Sequence, residues 1–168
     1  MKGLVVYKSR YGCTETYAKW LGEEIGFEVL PVNKAGRLEE YGVLIIGSCV
    51  RVSKPAIAGW VIRNWPRIKG KKIVFFTTSG AVSTDPELQR SFEAVFPEDI
   101  RSKMRYFPLN GRKIMNELSW LDRQAMKMAV RMTMKKDPAL AERMGEDFNR
   151  MNREEVRPIV EHVKGMAG

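Results

Sequence analysis

The sequence predicts a doubly wound α/β domain, in which helices cover both faces of a parallel β-sheet. Short apolar runs alternate with helical stretches along most of the chain, which is the rhythm of this fold class. Three of the runs, LVVY, VLIIG and IVFFT, are continuously apolar, as expected for strands that are buried on both faces. Since such sheets bind ligands beyond the carboxyl ends of their strands, the loops that follow the strands form the candidate site.

The predicted strands are short and rich in β-branched and aromatic residues. They are Gly3–Tyr7, Phe27–Val32, Gly42–Gly47, Lys72–Thr77 and Met104–Leu109. Helices are expected at about Thr14–Ile25, Pro55–Trp65, Pro86–Phe96 and Arg153–Val163. Thr14, Pro55 and the pair Asp85-Pro86 are residues suited to helix starts. The connection between the second and third strands leaves room for a short helix or for none.

Length and composition predict one domain. A chain of 168 residues with 44% hydrophobic content is long enough for a substantial core, so we expect residues 1–168 to form a single domain. The sequence shows no secretory leader and no apolar run that approaches a membrane span. Cys13 and Cys49 follow no metal-ligand pattern and are too few for a disulfide framework. These features predict a cytoplasmic protein, at most attached to a membrane surface, without a metal site.

The net charge of +9 is concentrated in one segment. Residues 101–136 contain ten basic and two acidic side chains, so this segment carries +8 and the rest of the chain only +1. Basic proteins often bind nucleic acid, but the chain has no recognised nucleic-acid motif. Its basic residues also lie among methionines and leucines, without the aromatic residues on which single strands stack. We therefore expect no nucleic-acid partner.

The loop between the first strand and the first helix has the composition of an anion-binding turn. It reads Ser9-Arg10-Tyr11-Gly12-Cys13-Thr14, and small and hydroxyl residues let such a backbone curl so that its N–H groups point inward. The spacing is neither G-x-G-x-x-G nor the pattern that ends in Gly-Lys-Ser/Thr. It resembles the S/T-x-x-G-x-T loop with which flavodoxin-like proteins hold the phosphate of flavin mononucleotide (FMN). An ordinary strand-to-helix turn is the alternative.

The loops after the third and fourth strands, Gly47–Pro55 and Thr77–Thr84, are small, hydroxyl-rich and free of acidic residues. They can offer backbone N–H and C=O groups to the edge of a flat heteroaromatic ring. Either loop alone could be an ordinary turn, but together with the phosphate loop they predict an FMN site. The expected contacts beyond the phosphate loop are Ser48, Cys49, Val50, Arg51, Thr78, Ser79, Gly80 and Ala81.

Residues 1–110 resemble the flavodoxin fold, and the whole chain resembles the menaquinone-dependent protoporphyrinogen oxidases within it. Besides the phosphate loop, the stretch Ile46-Gly47-Ser48-Cys49-Val50-Arg51 is similar to that family's I-G-A-S-I-R. The stretch Trp120-Leu121-Asp122-Arg123-Gln124-Ala125-Met126-Lys127-Met128 is similar to its W-Y-D-R-F-M-I-K. This second stretch lies in an insertion, at about residues 110–150, that ordinary flavodoxins lack. The loop Thr77–Thr84 differs from the family, and the insertion has fewer aromatic residues.

The resemblance implies a flavodoxin-like five-stranded sheet in the order 2-1-3-4-5, with a basic helical insertion before the last helix. It also implies FMN as the cofactor, oxidation of protoporphyrinogen IX in haem synthesis, and transfer of electrons to a quinone at the inner face of the cell membrane. No Ser-His-Asp set or carboxylate pair is apparent in the sequence. The flavin would therefore carry the chemistry, and no catalytic side chain is expected.

The insertion itself predicts an amphipathic helix. Apolar residues recur at spacings of three and four, and basic residues repeat on another face. The apolar set is Ile114, Met115, Leu118, Leu121, Ala125, Met128, Ala129 and Met132. Such a helix can pack on its own domain, lie on an anionic membrane, or hold a substrate that joins carboxylates to a broad apolar surface. The candidate contacts are Arg112, Lys113, Trp120, Arg123, Lys127 and Arg131.

Two functions stay open at this point. One is an FMN-dependent oxidoreductase that takes hydride equivalents from a tetrapyrrole or similar small molecule and passes electrons to a quinone. The other is a flavodoxin-type electron carrier without a substrate of its own. Such carriers are usually acidic around the flavin, whereas this chain has a pI of about 9.7, which favours the enzyme. The sequence does not determine the oligomeric state.

Overall fold

The computed structural model describes residues 1–166, and its five longer strands form a parallel sheet. These strands are β1 (Gly3–Lys8), β2 (Glu28–Pro31), β3 (Val43–Arg51), β4 (Lys72–Ser79) and β5 (Met104–Asn110). Their order is β2-β1-β3-β4-β5, and every neighbouring pair is parallel. The predicted fold class and strand order are confirmed. β3 continues beyond its predicted end because Val50 and Arg51 pair with the antiparallel segment Lys54–Pro55.

α-Helices follow each of these strands except β2. They are α1 (Cys13–Ile25), α2 (Ala58–Ile68), α3 (Pro86–Val95), α4 (Glu98–Arg101), α5 (Trp120–Met134), α6 (Pro138–Gly145) and α7 (Arg157–Gly165). Asp85 caps α3 as predicted, since its side chain accepts from the N–H of Glu87. Pro55 starts no helix, because it belongs to the short strand beside β3. The connection between β2 and β3 holds only the 3-10 turn Leu38–Glu40, as expected.

Both faces of the sheet are buried. Side chains alternate along each strand, so Leu4, Leu44 and Ile73 join a core with residues of α2, α3 and α4. The residues that follow each of them face the other way and join a core with α1 and α7. Because neither face meets water, β1, β3 and β4 need continuous apolar runs. The polar residues of these three strands therefore lie at the strand ends.

The chain divides into two compact units, of which the first consists of residues 1–111 and the described residues from Met151 onward. This unit contains the sheet. Residues Arg112–Arg150 form the second unit. It consists of α5, α6, the 3-10 turn Met115–Glu117 and an antiparallel pairing of Arg112–Lys113 with Phe148–Asn149.

The helix predicted from Ile114 onward begins later than expected. The Ser119 side chain accepts from the N–H of Asp122, so this serine caps α5, and Ile114, Met115 and Leu118 lie outside the helix. α6 was not predicted, although Asp137-Pro138 repeats the cap signal of Asp85-Pro86. Within residues 1–166, no helix has the length and apolar character needed to cross a bilayer. The same residues contain no group of three or more histidine, cysteine or acidic side chains that could hold a metal ion.

Packing against a neighbouring ring requires glycine at position 47. Gly47 pairs with Phe76 across β3 and β4, and a Cβ atom at this position would lie 2.3 Å from the Phe76 ring. We expect Gly47→Ala to lower the free energy of unfolding by about 1–3 kcal/mol, because a fully buried ring must move. Urea unfolding followed by circular dichroism measures the change.

Gly59→Ala is the matched control for this substitution. Gly59 lies in α2, and a Cβ atom there meets nothing within 4 Å. The control should raise the free energy of unfolding by about 0.5–1 kcal/mol, since alanine favours the helix. An unchanged stability of Gly47→Ala would contradict the packing argument.

Candidate functional site

The three predicted loops leave the sheet from neighbouring positions. In the strand register, Lys8 pairs with Ser48, and Cys49 pairs with Thr78. The loops that follow β1, β3 and β4 therefore start side by side at the carboxyl edge. The structure brings the predicted cofactor residues to one edge of the sheet, where doubly wound folds bind their ligands.

The phosphate loop is a tight turn that leads directly into α1. Gly12 has a φ of +90°, a left-handed conformation that favours glycine. Its N–H donates to Ser9 Oγ over 3.1 Å, and the carbonyl of Gly12 accepts from the N–H and the hydroxyl of Thr16, each at 2.9 Å. Gly12, the residue that precedes α1, has no side chain with which to cap the helix. The positive end of this helix thus begins at the glycine turn, which suits an anion.

A buried pair of hydroxyls joins the phosphate loop to β4. Thr14 Oγ1 lies 2.8 Å from Thr78 Oγ1, and both side chains are buried. Either hydroxyl can be the donor, so the one that accepts keeps its own proton for another acceptor. The pair therefore fixes the loop to the sheet and leaves one hydroxyl proton to donate to a ligand. With Ser9 and the helix terminus, these groups form a donor set that fits a phosphate.

The loop after β3 uses part of its polar chemistry internally. Ser48 is buried, and its hydroxyl accepts from the N–H of Ile57 and donates to the carbonyl of Cys49. Burial raises the pKa of the Cys49 thiol, and the charges of Lys8 and Arg10 offset this only in part. The thiol therefore stays protonated at neutral pH, which does not suit a redox thiolate.

The tip of the same loop is a tight hairpin beyond the end of β3. Val52 and Ser53 both have positive φ values, 47° and 58°, between the paired residues Arg51 and Lys54. Positive φ at both central residues is the geometry of a type I′ turn, although glycine and asparagine are its usual residues. The Val52 side chain is 88% exposed. The groups that this loop can offer to a ligand are thus its backbone groups and its exposed tip, because the Ser48 hydroxyl is already used inside the protein.

Asn110, Tyr17 and Glu155 form a polar cluster at the end of β5 that sequence reasoning missed. The Tyr17 hydroxyl lies 2.8 Å from both the Asn110 carbonyl and Glu155 Oε2. Asn110 Oδ1 accepts from the N–H of Ser83, and the Ser79 carbonyl accepts from the N–H of Gly111. These residues are far apart in sequence and follow no motif, so no local signal could have found them.

Tyr17 is fully buried, and this burial raises its pKa well above the ordinary value. The N–H of Asn152, which donates to the Tyr17 oxygen over 3.2 Å, opposes the shift, while Glu155 adds to it. The neutral phenol is therefore the form that the fold requires.

Three of the predicted substrate or membrane contacts are engaged within the insertion. Arg112 pairs with Glu117 at 2.5 Å, and Lys113 is 9% exposed with Nζ donating to the Met144 carbonyl. Burial lowers the pKa of Lys113. The guanidinium of Arg123 donates to two carbonyl groups of the turn that precedes α5. These three cations hold the second unit together, so their side chains are poorly placed to meet a substrate or a membrane.

The other predicted contacts lie on the exposed face of α5, defined by Trp120, Leu121, Lys127, Met128, Arg131 and Met132. Its four large apolar side chains are 64–70% exposed. Asp122, the one acidic residue of α5, is half-buried, so this face carries basic and apolar groups only. Five residues of the predicted apolar stripe lie in α5. Four of them are exposed, namely Leu121, Ala125, Met128 and Met132, while Ala129 lies on the half-buried face with Met126 and Val130.

A family comparison agrees with this architecture. The family model described as "Flavodoxin domain" matches residues 4–139, which is most of the chain and includes α5. The chain belongs to the flavodoxin domain family. None of the curated proteins compared with this flavodoxin domain matches it.

Several solved structures are similar to this flavodoxin domain at low identity. A flavodoxin from the domain Archaea is 18% identical, with a TM-score of 0.48, and the match covers 87% of this chain and 100% of that one. A flavoprotein from Lactobacillus acidophilus in complex with FMN is 15% identical, with a TM-score of 0.49 and coverages of 65% and 91%. A Fusobacterium nucleatum flavodoxin mutant bound to FMN is 13% identical, with a TM-score of 0.43 and coverages of 66% and 71%.

The Tyr17 cluster has a pH-dependent effect on stability. We expect Tyr17→Phe to lower the free energy of unfolding at about pH 7 by about 1–3 kcal/mol, because buried polar groups lose a partner. Since the Tyr17 pKa is raised in the folded state, its contribution is complete below about pH 10 and is lost as the pH rises further. The stability difference between wild type and variant should therefore shrink above that pH.

Urea unfolding at about pH 7 and about pH 11 measures this difference. Tyr11→Phe serves as the control, since the hydroxyl of the half-buried Tyr11 accepts from Arg10 Nε over 3.3 Å near the surface. This control should change stability little at either pH. A Tyr17→Phe effect of the same size at both pH values would show that the phenol proton does not matter.

Proposed function

We propose that this flavodoxin domain binds FMN at the carboxyl edge of its sheet and works as an FMN-dependent oxidoreductase. The observation that carries the proposal is the Thr14–Thr78 hydrogen bond, which joins the glycine turn of the phosphate loop to the end of β4. It gathers hydroxyl donors, the start of α1 and two acid-free loops at one edge. Bound FMN would supply the redox chemistry, while the protein supplies binding and orientation.

The phosphate would be held by Ser9, Thr14 and the backbone of residues 10–14, with charge from Arg10. Glu15, the nearest acidic residue in sequence, forms an ion pair with Lys19 at 2.7 Å, so its charge is compensated. The flavin ring would lie against the loops after β3 and β4, in contact with residues 48–51 and 78–81. These loops contain no carboxylate that would oppose an electron-rich ring.

The finer proposal concerns the substrate and the acceptor. The stretches Ile46–Arg51 and Trp120–Met128 resemble the protoporphyrinogen oxidase family, and the exposed face of α5 combines basic with apolar side chains. Protoporphyrinogen IX joins two propionates to a broad apolar macrocycle, so Lys127 and Arg131 would pair with its carboxylates. The same face would rest on an anionic membrane surface, where a quinone acceptor is dissolved. This proposal places the protein in the cytoplasm, at the inner face of the membrane.

The Thr14–Thr78 pair makes FMN binding testable. Purified protein should retain FMN, and Thr78→Val should raise the Kd for FMN about tenfold, because the phosphate loop loses its link to β4. Quenching of FMN fluorescence during titration measures the Kd.

Thr77→Val is the matched control for the cofactor test. Thr77 is equally buried and adjacent in β4, but its hydroxyl pairs with Tyr106 at 2.7 Å on the other face of the sheet. This control should leave the Kd for FMN within about twofold of wild type. Failure of the wild-type protein to retain FMN would overturn the proposed function.

The basic groups of α5 separate the enzyme from a carrier. FMN-loaded protein should bleach with protoporphyrinogen IX in the absence of oxygen and should be reoxidised by a menaquinone analogue. Lys127→Glu combined with Arg131→Glu should slow the bleaching at least about tenfold and should abolish binding to vesicles that contain anionic lipid, since each charge reversal opposes carboxylates and headgroups alike. The Kd for FMN should not change.

Lys34→Glu combined with Lys69→Glu is the control, because it reverses the same amount of charge at two exposed positions of the first unit. This control should keep both substrate turnover and vesicle binding. No bleaching by protoporphyrinogen in wild type would remove the substrate assignment and favour an electron carrier, leaving the cofactor proposal intact.

A further inference from the structure

Glu155 lies in the 3-10 turn Arg153–Val156 before α7, yet its carboxylate reaches the carboxyl end of β5. Glu155 Oε2 accepts from the N–H of Asn110 over 2.9 Å and lies 2.8 Å from the Tyr17 hydroxyl. Glu155 Oε1 accepts from Nδ2 of Asn110. Both oxygens are thus engaged by donors of unit one, and two of these donors belong to Asn110.

Asn110 in turn holds the loop after β4. Its Oδ1 accepts from the N–H of Ser83 over 2.9 Å, and its Nδ2 donates to Ser83 Oγ over 3.2 Å. With one Nδ2 proton on Glu155 and the other on Ser83, the amide group has a single orientation that satisfies every partner. The other end of the loop is tied nearby, since the Ser79 carbonyl accepts from the N–H of Gly111.

We propose that Glu155 is a positioning residue for cofactor binding, acting through Asn110 on the loop of residues 79–83. This inference rests on the proposed FMN site, because Ser79, Gly80 and Ala81 belong to its expected contacts. The carboxylate orients the Asn110 amide, the amide fixes Ser83, and the two tied ends preset the loop backbone. A preset loop loses less conformational entropy when a ligand binds to it.

Both the charge and the shape of the Glu155 side chain matter for this role. All three groups that face its carboxylate are donors, so two acceptor oxygens satisfy them all. Glu155→Gln keeps the size but presents an NH₂ group to a donor of Asn110 or Tyr17. The chain of hydrogen bonds to Ser83 would then lose its orientation while the apolar core of the sheet stays unchanged.

The test compares Glu155→Gln with Glu154→Gln. Glu154 is the neighbouring residue, but it is exposed and pairs only with Arg157 at 3.4 Å among the ion pairs of the described residues. We expect Glu155→Gln to raise the Kd for FMN about tenfold and to speed amide hydrogen exchange at residues 79–83 in cofactor-free protein. Glu154→Gln should change neither. The Kd and the exchange rates are measured under conditions in which each variant is folded, well below the urea concentration at which it unfolds.

A second variant keeps the test valid if Glu155→Gln is poorly folded. Asn110→Asp combined with Glu155→Gln exchanges the amide and the carboxylate, so the introduced carboxylate can accept from the introduced amide and from Ser83. This combination should restore the Kd for FMN to within about threefold of wild type and should restore slow exchange at residues 79–83. A purely structural role of Glu155 would lower the free energy of unfolding but leave Kd and loop exchange unchanged, which would overturn the inference.

The two proposals can fail separately. If wild-type protein does not bind FMN, the proposed function fails, and loop exchange in cofactor-free protein still reports on Glu155. If wild type binds FMN and Glu155→Gln binds it equally well with unchanged exchange, the positioning role fails and the FMN site stands.

Discussion

Burial of the sheet on both faces is the constraint on which the rest of the molecule depends. Leu4, Leu44 and Ile73 face one set of helices, and the residue after each faces the other set. Side chains within these strands therefore meet only apolar surroundings, and a polar group placed there would lose its hydration. Polar side chains that could bind a ligand are therefore found at the carboxyl edge, where the strands end and the hydroxyl-rich loops begin. The position of the candidate site follows from the packing of the core.

At that edge, the polar groups that become buried are satisfied by one another. Thr14 pairs with Thr78, Thr77 with Tyr106, and Glu155 with Asn110. Each pair joins segments that are distant in sequence, so the same hydrogen bonds that offset the cost of burial also fix the loops. A loop held in this way is preorganised for a ligand. Stability and the proposed binding of FMN thus depend on the same groups, so each substitution here is paired with a control that separates the two effects.

The insertion follows a different principle. The insertion is the second unit, and it has a small interior. Arg112, Lys113 and Arg123 stabilise it through an ion pair and through hydrogen bonds to carbonyl groups. This leaves the exposed face of α5 with large apolar side chains beside basic ones and no carboxylate. Such a surface is costly in water unless something covers it. Position within the insertion, and not charge alone, decides which cations remain on the surface.

The sequence by itself determined the fold class and the loops in which the candidate site lies, because both depend on local patterns. It gave the strand order only through a family resemblance. Continuous apolar runs, the glycine turn at Gly12 and the Asp85 cap are properties of a few adjacent residues, so they are visible without a structure. The start of α5 and the presence of α6 depended on cap signals that compete with apolar periodicity. Only the tertiary structure decided that Ser48 faces inward, that Lys113 is buried, and that Glu155 reaches Asn110. The contacts of Lys113 with Met144 and of Glu155 with Asn110 join residues that are far apart in the chain. The packing of whole elements brings such partners together, and no local pattern encodes it.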